Sequence, residues 1–172
     1  MSEATAPARG GPVRLRAPAH QVSPRARWFW GVRALLAWLV PLVIEIVIAV
    51  RTRGDRGPVE LVIAGTALLA IAHISVMPQW RYRVHRWEAT PTAVYTQSGW
   101  INQQRRIAPL SRIQTVDTER GPIEQLFGLA NVTVTTASAA GPLKIHGLAL
   151  TTAQQLVDEL TSATGRSAGD AT

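Results

Sequence analysis

The chain has 172 residues, a formal net charge of +7 and no cysteine. The lack of Cys excludes disulfide frameworks, thiolate zinc sites, iron–sulfur clusters and Cys nucleophiles. Hydrophobic residues make up 47% of the sequence and charged residues 17%, against roughly 25% charged in ordinary soluble domains, so membrane spans are sought before a soluble core.

The positive charge is unevenly placed. Residues 1–27 hold five Arg and one Glu, and residues 51–58 hold three Arg and one Asp. Residues 79–165 are nearly balanced, with seven Arg and one Lys against six acids. A near-neutral C-terminal half argues against a nucleic-acid partner.

Residues 1–27, rich in Ala, Pro, Gly and Arg and without an apolar period, read as a disordered cytoplasmic tail. Residues 28–50 and 59–77 are apolar stretches, each about 30 Å long as a helix and so able to cross a bilayer. The long leading region and the missing A-x-A site make the first a signal anchor rather than a cleaved signal peptide. The connector, residues 51–58, is short enough to force an antiparallel two-helix hairpin, placed at 28–78. Arg counting gives eight on the side of the termini against three in the connector. The positive-inside rule then predicts a multi-pass inner-membrane protein with both termini cytoplasmic. Trp28, Trp30 and Trp80 fall where an inner aromatic belt is expected.

From residue 79 the pattern changes to period two, with Trp80, Tyr82 and Val84 alternating with Arg81, Arg83 and His85. Further strands are predicted at residues 93–97, 101–107, 114–119, 131–136 and 143–146, with turns at Thr90-Pro91, Ser98-Gly99, Gly121-Pro122 and Gly141-Pro142. Gln97-Ser98-Gly99-Trp100 reads as a tight hairpin. Residues 151–163 switch to helical period, with Ala153, Leu156, Val157 and Leu160 on one stripe. Thr152 with Gln155 suggests a capping box, Gly165 a C-cap, and residues 166–172 a disordered tail. The fold class is therefore a membrane α-hairpin plus a mainly-β, barrel-like domain at 79–165 closed by a C-terminal α-helix. At about 85 residues such a domain can fold alone.

Glu45 and His73 lie inside the predicted spans, where ionisable groups are functional candidates by default. Counted from the connector they sit at about 8 Å and about 21 Å depth, too far apart to touch each other. Glu45 could reach the connector Arg residues, and His73 the level of Arg33. Arg25, Arg27, Arg81, Arg83 and Arg86 would lie against the inner leaflet, each worth on the order of 1 kcal/mol on an anionic surface. No catalytic signature, cofactor motif or metal-ligand spacing is present, and His20, His73, His85 and His146 fall in different elements.

The ordered motifs resemble bacterial Pleckstrin-homology (PH) membrane proteins of the YdbS-like type. Tyr82-Arg83-Val84 and Val94-Tyr95-Thr96 with Gly99 begin the likeness. The stretch Ile107-Ala108-Pro109-Leu110-Ser111-Arg112-Ile113-Gln114-Thr115-Val116 is similar to a family segment, as is Gly121-Pro122-Ile123-Glu124-Gln125-Leu126-Phe127-Gly128-Leu129-Ala130. Val132, Val134 and Leu143-Lys144-Ile145-His146-Gly147-Leu148 complete a resemblance covering about residues 28–162. It implies a PH-like barrel with a C-terminal helix on the cytoplasmic membrane face and no established enzymatic role. The quoted motifs read as structural: Pro109 ends a strand, and Gly121 and Gly128 permit sharp turns. Arg105 and Arg106 are the nearest analogue of the basic headgroup loop of eukaryotic PH domains, too sparse for a strong lipid pocket.

The functional expectation is a non-catalytic integral membrane protein that docks a partner protein through an open strand edge or the barrel mouth. The alternative is an anionic-lipid-responsive membrane-stress factor. The expected partners are the bilayer and a membrane protein or a second copy, with no nucleic acid and no cofactor.

Overall fold

Helices α1 (Arg25–Arg51) and α2 (Gly57–Val84) form an antiparallel pair in the computed structural model. The model describes residues 17–169 except 53, 55, 100, 139 and 140, with backbone alone at 166–169. The part of the expected tail at residues 1–16 lies outside the described residues, as does Trp100. Both helices are long and apolar enough to cross a membrane. Their outward side chains, including Leu36, Val40, Val47, Leu61 and Leu69, remain exposed, as suits a surface solvated by lipid.

Two expected boundaries move. Residues 79–84 are not a strand: α2 continues to Val84, and the His85 N–H closes its last turn on the Arg81 carbonyl at 2.9 Å. A six-residue alternation cannot overcome an established helix, and Arg81 and Arg83 suit the negative end of the helix dipole. At the other end, residues 20–27 are ordered. His20–Gln21 forms strand β1, Val22 is buried, and α1 starts three residues earlier than predicted.

The domain joined to the helices contains two antiparallel sheets. The first has the order β1, β2 (Arg86–Ala89), β3 (Ala93–Ser98), β4 (Gln104–Pro109). A 3-10 turn, Leu110–Arg112, leads into β5 (Ile113–Glu119). After the short helix α3 (Pro122–Leu126), β6 (Leu129–Thr136) and β7 (Leu143–Ala149) complete the order β5-β6-β7. The hairpin after β3 has the residues 99–103 as its loop, since Ser98 pairs with Gln104. Helix α4 (Leu150–Gly169) closes the structure and buries Ala153, Leu156 and Leu160, the stripe read from the sequence. It begins before Thr152 and runs through Gly165, so neither residue caps it, and 166–169 are helical rather than an irregular tail.

The core explains why the start of α1 and the residues before it are ordered. Val22, Ala26, Phe29 and Trp30 belong to the same buried cluster as Val94, Leu129, Val132, Val134, Leu148 and Leu156. Trp30, expected in an aromatic belt, is 2% exposed, whereas Trp28 is 70% exposed. A β-bulge makes room. His146 and Gly147 of β7 stand opposite Asn131 of β6, whose Oδ1 accepts the Gly147 N–H at 3.0 Å. Gly147 has φ +76°, and its carbonyl accepts the Ser23 N–H at 2.9 Å. Gly128 also takes a left-handed φ of +63°, as its turn requires, but Gly121 is extended and needs no glycine geometry.

Candidate functional site: a membrane seam, a basic junction and an open cleft

Glu45 and His73 do not meet, as expected, but each finds a partner on the opposite helix. Thr66 Oγ1–H donates to Glu45 Oε1 at 2.8 Å. Trp38 Nε1–H donates to His73 Nδ1 at 3.0 Å, with the two rings 6.1 Å apart, which leaves Nδ1 without a proton. Glu45 therefore bonds Thr66 rather than a connector Arg. Trp38 and Glu45 are seven residues apart on α1, and Thr66 and His73 seven apart on α2. That heptad spacing was the available signal for both missed partners. Glu45 Oε2 is buried without a hydrogen-bond partner.

Where the helices enter the domain, cations gather. The Arg81 guanidinium lies 4.7 Å from the Trp30 ring centre, Arg27 lies 4.9 Å from that of Tyr82, and Arg33 lies 5.6 Å from that of Phe29. The five predicted surface arginines thus divide. Arg25 and Arg83 are exposed, Arg27 and Arg81 stack on aromatic rings, and Arg86 sits on β2, paired in register with Gln21. His85 is 4% exposed, with its ring 5.0 Å from that of Trp30 and its Nδ1–H given to the Arg81 carbonyl at 2.8 Å. Burial pushes its pKa down to about 4; the bond to the Arg81 carbonyl opposes this, and the Arg81 and His146 charges add to it. His146 is lowered too, first by burial and then by Arg81, Lys144 and Arg33, with Glu119 acting against them. Among the described residues no three His, Asp or Glu side chains group to hold a metal ion.

The third feature lies between the sheets. Strand β4 is an edge, and along it runs a cleft of about 380 Å³. Its walls carry Gln104, Arg105, Ile107, Arg112, Ser138 and Leu143 and, among the described residues, no carboxylate. Arg106 bridges the sheets by donating to the carbonyls of Pro142 at 2.6 Å and Gly141 at 2.8 Å. Arg105 Nε–H donates to Gln97 Oε1 at 3.0 Å, which steadies its guanidinium. Arg105 and Arg106, expected within the strand at residues 101–107 and compared there with a basic headgroup loop, stand on β4 and are joined by Arg112 through folding.

A four-stranded and a three-stranded sheet, splayed at one edge and closed by a C-terminal helix, define a PH-like domain, here built onto a membrane hairpin. The model for the Bacterial PH domain family matches residues 32–164, and the chain belongs to that family. The match begins inside α1, so hairpin and domain fall within one family unit. More particularly, the chain is similar to the UPF0699 transmembrane protein YdbS of Bacillus subtilis (strain 168). The two are 30% identical over 146 residues, which cover 83% of this chain and 91% of that protein. No solved structure matches the chain.

Proposed function

We propose that this membrane protein is a non-catalytic adaptor, whose domain holds an extended, acidic segment of a partner protein along the edge of β4. The observation that carries this reading is the cleft itself. It follows all six residues of β4, whose alternate N–H and C=O groups point away from β3. An added strand would pair along this edge, and Ile107, 46% exposed, would give it an apolar contact. Arg105, Arg106 and Arg112 favour carboxylates on the incoming chain. The domain is packed onto α1, which keeps the cleft near the bilayer and favours a membrane protein as the partner. The Arg excess at the domain ends of the helices supports a cytoplasmic location.

The test is photo-crosslinking from position 107 in the full-length chain in its native membrane. A discrete adduct is expected with one membrane protein, through an acidic segment, and Arg105→Glu with Arg112→Glu should abolish it. An adduct unaffected by the charge reversals, or one formed with a second copy of the chain, counts against the reading.

A further inference from the structure

A second cavity, of about 320 Å³, opens on the lipid-facing side of the hairpin, away from the cleft and independent of it. Its floor is set by Gly31 and Pro78: a side-chain carbon on Gly31 would lie 3.9 Å from the Pro78 ring, so the two helices approach closely there. Leu35 and Ile74 line its membrane end. Arg27, Trp28 and Gln79 line the end nearer the domain, where the Arg27 guanidinium is stacked over Tyr82. The groove thus grades from apolar to cationic over about two helical turns, from residue 35 to residue 27. Its volume is within the roughly 300–1,000 Å³ of ordinary ligand pockets.

From this gradient we infer that the groove seats one anionic glycerophospholipid, with an acyl chain along Leu35, Gly31 and Ile74 and the phosphate at Arg27. Charge complementarity selects this occupant. The domain-side stretches of the two helices, residues 25–36 and 74–84, carry five Arg and no Asp or Glu. A neutral apolar partner helix would cover Arg27 and Gln79 without supplying a counter-charge. Trp28, 70% exposed beside the groove, has the amphipathic ring that settles at the headgroup boundary. The lipid would brace α1 at the turn just below Phe29 and Trp30, where the helix enters the domain core.

The experiment is native mass spectrometry of the full-length chain released from bilayers containing equal parts of phosphatidylglycerol and phosphatidylcholine. One phosphatidylglycerol should remain bound per chain in preference to phosphatidylcholine. Arg27→Gln should reduce its retention roughly fivefold, the equivalent of one surface charge. Gly31→Leu, which fills the groove, should remove it. Thermal unfolding of both variants in detergent keeps the result interpretable, and Leu35→Trp, which blocks the groove from another wall, stands in should Gly31→Leu fail to fold. Equal retention of the two lipids overturns the inference. So does undiminished phosphatidylglycerol on a folded groove-blocked variant, or a lipid-free dimer that Gly31→Leu or Leu35→Trp dissociates.

Discussion

A side-chain carbon on Gly147 would lie 2.9 Å from the Ala26 methyl, and the Trp30 ring would lie just beyond it. The first turns of the first membrane helix therefore rest directly on the backbone of β7. Gly147→Ala should cost about 2 kcal/mol or more, combining a side chain at positive φ with overlap in a packed core. Thermal unfolding in detergent measures it. Wild-type stability for this variant would mean that the helix and the sheet are not held together as described.

The same packing predicts the fate of the excised domain. A chain of residues 79–165 alone lacks Val22, Ala26, Phe29 and Trp30, which are all buried in its core. It should fail to give a cooperative unfolding transition or dispersed amide signals. This reverses the sequence-based expectation that those residues suffice.

Within the membrane, His73→Leu leaves the Trp38 N–H without its acceptor, in a medium that offers no water. The single change should destabilise the hairpin by about 1 kcal/mol, and adding Trp38→Phe should recover part of that loss. A double-mutant cycle by reversible unfolding in bicelles would show the coupling. Additive effects would argue that the bond contributes nothing.

Glu45 should behave differently. Its Oε2 is buried without a partner, so the polar pair carries an uncompensated atom. Removing both members, Glu45→Met with Thr66→Val, is expected to leave stability unchanged or raise it, whereas Thr66→Val alone should lower it. The same unfolding assay compares the three variants.

Acid should loosen the junction between helices and domain. His85 titrates at about 4 in the fold, against 6.5 for an unperturbed His. Between those values the unfolded chain binds the additional proton, so falling pH favours unfolding. The contribution is complete above about pH 6.5, is lost progressively down to about 4, and changes no further below. Its full size is about 3 kcal/mol. His85→Gln should flatten the stability profile in this window, leaving the slope from His146, whose shift has the same direction.

Much of the architecture was written in local pattern. Two apolar runs and a short connector determined the hairpin, because helix length and hydrocarbon thickness are matched quantities. Strands β3 to β7 were legible from alternation and turn residues, and α4 from the stripe of Ala153, Leu156 and Leu160, since each signal is contained within a few residues. The intramembrane candidates Glu45 and His73 were legible too, from their chemistry alone.

Tertiary structure decided the rest. No local signal shows that Trp30 faces a sheet rather than a lipid interface, because both settings favour the same ring. That choice depends on a bulge more than 100 residues away at Gly147. Likewise, Arg112 joins Arg105 and Arg106 only where two sheets splay, and Thr66 meets Glu45 only in one antiparallel register. Period and composition report how a segment meets its surroundings, whereas partners distant in sequence are selected by packing, which no single segment contains.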